Sequence, residues 1–312
     1  MTSLQHRKIV VTGGAGFIGS HIVEALLREG AHVIVVDDLS TGNEANMSDF
    51  IDRITWIRGS VCDVELMQRA CTDAYAVVHQ AALPSVPKSV AFPLETNQAN
   101  STGTLAVFVA AQRAGVDRVI YASSSSVYGD TAVLPKEESM PLNPLSPYAV
   151  QKMTTELYGR IFHSLHGLKT IGLRYFNVFG PRQNPNSEYA AVIPKFITEI
   201  KRGKSPRIFG DGEQTRDFTY VDNVVQANIR ALQAESGFGE AYNVACGGHI
   251  SLNELVARIN KILSTSITPE YLSPRTGDIR DSYADISKAR DVLGFVPTVG
   301  FDEGLKKTAD SL

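Results

Sequence analysis

Two side chains stand at a spacing that suits proton transfer: Tyr148 and Lys152, four residues apart in Ser146-Pro147-Tyr148-Ala149-Val150-Gln151-Lys152. Residues i and i+4 share one face of a helix. A phenol titrates near ~10 in water, so a tyrosine acting as a base at neutral pH needs positive charge beside it, and the Lys152 ammonium would supply some. Taken alone, the spacing arises easily by chance, and the bland alternative is a packed tyrosine with a solvated lysine. A third candidate, Ser124, lies twenty-four residues before Tyr148 in the hydroxyl-rich run Tyr121-Ala122-Ser123-Ser124-Ser125-Ser126-Val127-Tyr128-Gly129. That run ends an apolar strand pattern, which places its hydroxyls at the carboxyl edge of a sheet, where open α/β folds bind ligands.

A second group of residues suits phosphate. Thr12-Gly13-Gly14-Ala15-Gly16-Phe17-Ile18-Gly19 joins the apolar run Lys8–Val11 to a helical pattern. Gly13, Gly16 and Gly19 allow a tight turn, close approach to a pyrophosphate and packing of helix on sheet, while the first helical N–H groups are free to bind the anion. The alternative is a tight turn without a ligand. Asp37 ends the second apolar run, eighteen residues after Gly19, where a carboxylate accepts hydrogen bonds from ribose hydroxyls and repels a 2′-phosphate. The expected cofactor is therefore NAD rather than NADP, and the alternative for Asp37 is a solvated loop carboxylate. In that setting a cationic nicotinamide adds to the charge that lowers the Tyr148 pKa.

These groups need a frame, and the hydrophobic pattern provides one. Short β-branched runs at 8–11, 32–36, 54–59, 76–81, 118–123 and 169–176 alternate with longer helical patterns, which predicts an α/β fold with a doubly wound parallel sheet of Rossmann type. Ile18, Ile22, Ala25, Leu26 and Leu27 form the apolar stripe of the first helix, which Gly30 closes. A helix over 147–165 opens on Ser146 as cap and Pro147 in its first turn, and carries Met153, Leu157, Ile161 and Leu165 at spacing four. Beyond residue 180, Pro181, Pro185 and Pro194 break the pattern; helices are expected over 252–263 and 287–293. The division expected is 1–180 for NAD binding and 181–312 for a smaller α/β substrate domain, with a segment near 215–245 returning to the first.

The chain has 312 residues, 43% hydrophobic and 20% charged, with a net charge of −3 and a pI near 6.2. This is the composition of a folded enzyme-sized protein without the basic footprint that nucleic acid or an anionic membrane requires. The start, MTSLQHRKIVVTGG, reads as a strand rather than a secretory signal, and no apolar stretch is long enough for a bilayer, so a soluble cytoplasmic protein is expected. Cys62, Cys71 and Cys246 are widely spaced and read as reduced thiols, and no His or Cys cluster has metal-ligand spacing.

With these residues assembled, the chain resembles an extended short-chain dehydrogenase/reductase of the UDP-hexose 4-epimerase family, and is especially similar to bacterial UDP-N-acetylglucosamine 4-epimerases. The resemblance rests on VTGGAGFIGSH, VVDDLSTG, HQAALPSV, SSSSVYGD, SPYAVQK, GLRYFNVFGPRQNPNSEYAAVIPKF, IFGDGEQTRDFTYVDNVVQA and TGDIRDSYADISKA, and spans essentially the whole chain. It implies that Ser124, Tyr148 and Lys152 are catalytic. It implies NAD contacts from Gly13, Gly16, Phe17, Ile18, Gly19, Asp37, Asp38, Ser40, Thr41, Gly42, Tyr148, Lys152 and Tyr175. Asp63 and Val64 would flank the adenine, Gln80, Ala81 and Ala82 would line the groove, and Asn100 and Phe176 would complete it. The UDP-sugar would contact Ser124, Ser125, Tyr148, Asn177, Ala191, Val192, Phe209, Arg216, Arg275, Asp278 and Ser282, with both arginines facing the pyrophosphate; each arginine could instead sit in a surface ion pair.

The implied reaction is inversion at C4 through a transient 4-keto sugar, with NAD regenerated and retained. Family dehydratases carry an acidic pair beside the catalytic threonine, because loss of water needs a general acid and base; here the matching run is Ser124-Ser125-Ser126. A UDP-glucuronate 4-epimerase, a decarboxylase and a silent NAD-binding regulator are the rival readings. In relatives restricted to non-acetylated sugars a tyrosine aligns with Ser282, so a serine there favours UDP-GlcNAc/UDP-GalNAc, with UDP-Glc/UDP-Gal as a slower or equal activity; an alignment slipped by one onto Tyr283 removes that inference. Pro84 stands where some members carry a lysine, so that contact does not transfer. The family implies a homodimer paired through helices near 95–114 and 147–165, with Tyr158 and Phe162 as added apolar positions that equally suit a core.

Overall fold

The computed structural model describes residues 2–185, 191–274 and 280–312. Its first half alternates strand and helix: β1 (Lys8–Thr12), α1 (Phe17–Arg28), β2 (His32–Asp37), β3 (Thr55–Arg58), α2 (Val64–Cys71), β4 (Ala76–His79), α3 (Val86–Ala91), α4 (Pro93–Asn97), α5 (Gly103–Arg113), β5 (Arg118–Ser124), α6 (Pro147–His166) and β6 (Lys169–Tyr175). A π turn over 98–102 joins α4 to α5. Apart from the half-exposed edge strand β3, the strands read as largely apolar runs because both faces of the sheet are covered. On β1, Ile9 and Val11 enter the core under α1, whereas Val10 enters the opposite core under α5; on β5, Ile120 and Tyr121 divide in the same way.

The second half contains β7 (Val178–Phe179), α7 (Val192–Lys201), β8 (Arg207–Phe209), β9 (Thr215–Arg216), β10 (Thr219–Tyr220), α8 (Val221–Gln233), β11 (Glu240–Val244), β12 (Ile250–Ser251), α9 (Leu252–Leu263), β13 (Glu270–Leu272), β14 (Asp281–Ser282), α10 (Ser287–Leu293) and α11 (Phe301–Ser311). β11 pairs in parallel with β6, so the large sheet runs β11-β6-β5-β4-β1-β2-β3. The order reverses between β1 and β4, and the crevice beyond their carboxyl ends is where such sheets hold ligands. A separate core gathers Phe179, Phe196, Phe218, Tyr220, Leu255 and Leu305. α9 begins with a capping box formed by Ser251 and Glu254, which satisfies two end groups reciprocally.

Helix α6 buries polar residues and exposes most of its apolar stripe, Met153 alone of the four packing against a small core. Ser146 does cap it, accepting from Ala149 N at 3.2 Å, but the stripe at spacing four faces outward, with Leu157, Ile161 and Leu165 exposed by 38, 43 and 72%. Gln151, Lys152, Thr155 and Glu156 are the inward residues instead. Hydrophobic periodicity points to the wrong face because the buried face of this helix carries ionisable groups satisfied by specific partners. Phe162 belongs to the core, stacked on Phe108 at 5.4 Å, and Tyr158 packs against the same cluster. Among the described residues no helix is long and apolar enough to cross a membrane.

Candidate active site

The crevice at the reversal point is a cavity of about 700 Å³. Its floor is the turn from β1 into α1. Gly13 has φ +70°, and a Cβ on it would lie 2.6 Å from Ala81 N; a Cβ on Gly19 would lie 2.0 Å from Gly13 O. The turn is thus pressed against the end of β4 on one side and against its own helix on the other. Side chains would fill that cradle. No side chain caps the amino end of α1, and Gly16, Phe17, Ile18 and Gly19 line the cavity there, an arrangement suited to a pyrophosphate.

Asp37 is buried at the end of β2 and accepts from Ala15 N at 3.0 Å and Leu39 N at 2.8 Å. Each oxygen retains acceptor capacity for a ribose hydroxyl. Burial raises its pKa, opposed by the two backbone donors. Asp38, Ser40 and Thr41 line the cavity beside it; Gly42 packs behind, where a Cβ would meet the Asp37 carboxylate at 3.0 Å. The glycine cradle, the open helix end and the carboxylate fit a dinucleotide with a free 2′-hydroxyl.

The opposite wall carries the candidate proton-transfer groups. β5 delivers Ser124 and Ser125, and α6 delivers Tyr148 and Lys152. The Tyr148 phenol hydrogen-bonds Ser124; burial pushes its pKa up to about 12 and that bond pulls it back. Lys152 Nζ donates to Ala122 O at 2.8 Å and lies 5.8 Å from the Tyr148 ring centroid. Burial lowers its pKa to about 8, with Glu156 acting in the other direction. His79 lies beneath, held between Thr12 and Thr104 hydroxyls at 2.7 and 2.9 Å; burial and the Lys152 charge lower it to about 3, so it is neutral.

Gln80 and Tyr175 meet across the cavity at 3.1 Å, and Asn228 donates to the Tyr175 hydroxyl at 2.8 Å. Ala81, Ala82 and Ala191 complete the small-residue wall. Asn177 lines the cavity with φ +34° and donates from Nδ2 to Asp217 O at 3.1 Å.

Several residues expected in the site do not line this cavity among the described residues. Asp63 is the cap of α2, accepting from Leu66 N at 2.9 Å, and Val64 opens that helix. Asn100 is buried behind the wall, accepting from Leu83 N at 2.7 Å and donating to Gln151 Oε1 at 2.7 Å, so it shapes the turn at Leu83 rather than facing the cavity. Phe176 is fully buried beside Tyr128. Val192 opens α7 and Phe209 ends β8. Arg216 and Ser282 are direct partners in the β9–β14 ladder, and Arg216 donates to the Thr215 and Arg280 carbonyls at 2.8 and 2.9 Å; none of these lies among the described residues of the cavity wall. Arg275 and Asp278 fall outside the described residues. Conversely, Gly59, Ser60, Val61 and Cys62 line the cavity after β3; the rule that ligands meet strand carboxyl ends points to them. Glu95, Gln98 and Gln183 also line it, with no local sequence signal.

Fold and site together define a dinucleotide-dependent enzyme in which Ser124, Tyr148 and Lys152 gather on one wall of the cavity. Residues 9–245 match the NAD dependent epimerase/dehydratase family. A putative UDP-glucose 4-epimerase of Methanocaldococcus jannaschii is 38% identical over 304 residues, covering 97% of each chain. The solved UDP-N-acetylglucosamine 4-epimerase of Methanobrevibacter ruminantium, in complex with UDP-N-acetylmuramic acid, is 44% identical with a TM-score of 0.94, covering 98% of each chain. The UDP-glucose 4-epimerase of Thermotoga maritima, solved with UDP-glucose, is 39% identical with a TM-score of 0.93, covering 97% of this chain and 98% of that one. The chain belongs to the NAD dependent epimerase/dehydratase family, and its cofactor is NAD.

Proposed function

We propose that this chain inverts C4 of a UDP-hexose, interconverting UDP-GlcNAc and UDP-GalNAc, with UDP-Glc/UDP-Gal as a slower or equal activity. The observation that carries this reading is the Ser124–Tyr148–Lys152 group facing the glycine cradle across one cavity, with serines rather than acids at positions 125 and 126. Loss of water from the sugar would need a further general acid and base beside Ser124; proton removal from one hydroxyl does not.

Bound NAD⁺ supplies a reversible acceptor for the C4 hydride. Tyr148 Oη takes the proton of the 4-hydroxyl, and Ser124 Oγ, hydrogen-bonded to the phenol, orients that hydroxyl. Lys152, anchored through Ala122 O, keeps an ammonium near the ring and favours the phenolate. A 4-keto sugar then turns within the pocket so that its other face is reduced, while binding energy concentrated in the UDP part retains it. On reduction Tyr148 returns the proton to the new alkoxide.

Three finer assignments belong to the same reading. Arg216 and Ser282, partners in the β9–β14 ladder outside the wall of the cavity, meet the sugar nucleotide beyond that wall, Arg216 holding the nucleotide with Arg275 and Asp278 and Ser282 leaving room for a C2 acetamido group, while small Ala191 widens the wall itself. The chain acts as a homodimer whose contact includes α6, supported by the outward Leu157, Ile161 and Leu165 and by exposed Val150 on the same helix. The domain division stays at residue 180, with α8 and β11 returning to the first domain. Incubation with UDP-GlcNAc, UDP-Glc and UDP-glucuronate separately, with products identified by NMR, tests the function. C4 epimers from the first two support it; an epimer from the uronate alone, or elimination products, would overturn it.

A further inference from the structure

Behind the proton-transfer group lies a buried ion pair that the reaction does not use. Ser123 and Arg174 are direct partners across β5 and β6, and both side chains reach Glu156 of α6. Glu156, one turn beyond Lys152, meets them there. Its Oε1 accepts from Ser123 Oγ at 2.5 Å and Arg174 Nε at 2.8 Å, and its Oε2 from Arg174 Nη2 at 2.7 Å. The remaining guanidinium fork reaches Tyr128 Oη at 2.7 Å, in the turn that follows the serine run. Exposure of the two side chains is 6% for Arg174 and 9% for Glu156.

One carboxylate therefore ties together the helix that bears Tyr148 and Lys152, the strand end that bears Ser124, and the turn after it. Around Lys152 stand neutral His79 from β4, close enough to feel its charge, and Tyr148 and Glu156 from its own helix; Arg174 of β6 reaches Glu156 from the other side. Lys88 and Glu95, on the neighbouring α3 and α4, pair with each other at 2.8 Å. Glu156 is the one anion among the described residues that acts on the ammonium.

We propose that Glu156 is a positioning residue for this site: its carboxylate fixes α6 against the serine strand end and, as the middle of the buried row Lys152, Glu156, Arg174, keeps the Lys152 ammonium charged. The inference rests on the function proposed above. A carboxamide at 156 would leave Arg174 uncompensated and remove the anion one turn from Lys152, so the ammonium would lose its proton at lower pH. Asp at 156 keeps the charge and withdraws it by one methylene.

The test uses the NAD-loaded protein with UDP-GlcNAc. Glu156→Gln is expected to lower kcat about 10-fold and to move its alkaline limb about one pH unit toward acid, with KM and NAD content at parental values. Glu156→Asp is expected to lower kcat with the limb unmoved. Near-ultraviolet titration of the Tyr148 phenolate, identified by difference from Tyr148→Phe, should move upward in Glu156→Gln. If the unpaired guanidinium prevents that variant from folding, Glu156→Gln/Arg174→Met removes both charges and should still show the acid-shifted limb at unchanged KM. A parental limb and kcat, a kcat loss that tracks loss of NAD and thermal stability, or failure of all three variants to fold would each overturn the proposal. A parent without epimerase activity overturns the function and this inference together, whereas an active parent with indifferent variants overturns the inference alone.

Discussion

A methyl group added at Gly19 would enter the densest point of the cofactor cradle. Its Cβ would lie 2.0 Å from Gly13 O, 2.8 Å from Gly13 C and 2.9 Å from Gly14 Cα, all backbone atoms. Reaching even a 3.0 Å contact moves the turn by about 1 Å, since no flexible side chain can yield instead. Overpacking of this kind costs about 1–3 kcal/mol, and a displacement of ~1 Å in a positioning element weakens function by about 10²-fold. Gly16 is the internal control: a Cβ there meets only Gly13 O, at 3.1 Å, and its φ of −78° suits any residue. Gly19→Ala is therefore expected to lose both bound NAD and thermal stability. Gly16→Ala is expected to keep its melting temperature and lose NAD affinity only, because its methyl group projects where the pyrophosphate approaches. The assays are NAD released on denaturation per protomer and thermal unfolding after NAD removal. Gly19→Ala with parental NAD content and stability would refute the cradle.

Tyr148→Phe should lower turnover by about 10²–10⁴-fold, the usual worth of a general base, with NAD content unchanged; parental activity excludes the phenol as base. Asp217 is buried and accepts from Cys246 N and Gly247 N at 2.9 and 3.0 Å, and burial raises its pKa to about 6. The folded state then holds a proton that the unfolded state releases, so this group's contribution to stability is full below about pH 4 and is lost as pH rises through about 6, by up to about 3 kcal/mol. Asp217→Asn should flatten that part of the pH–stability curve, and a slope identical to the parent's contradicts it. Ser282→Tyr should weaken turnover of acetylated UDP-sugars selectively, read as the ratio of kcat/KM on UDP-GlcNAc and UDP-Glc; equal loss on both removes the proposed gate.

All six sequence-read strands of the first half pair in the sheet; five were legible because a strand buried on both faces is largely apolar, whereas β3 is a half-exposed edge strand. Type and spacing put Ser124, Tyr148 and Lys152 on a strand end and one helix face, and Asp37 after β2, and the structure brings all four to one cavity. The groove places of Asn100 and Phe176 came from resemblance, which does not tell which way a side chain faces; here Asn100 serves the Leu83 turn and Phe176 a small core. The orientation of α6 was hidden for a related reason. Lys152 and Glu156 are inside only because Ala122 O, Ser123 and Arg174 satisfy them, and those partners come from strands distant in sequence. Glu95, Gln98 and Gln183 reach the cavity through tertiary placement of loops and short helices, which no local periodicity encodes.

The most direct measurement follows the atom that the mechanism moves. A UDP-hexose deuterated at C4 is incubated with the NAD-loaded protein, and both epimers are examined by NMR. Inversion at C4 with deuterium retained on that carbon is the predicted result, since the ketone stays in the cavity and is reduced on its other face. Inverted product carrying solvent hydrogen at C4, or no inversion at all, would contradict transient oxidation at C4.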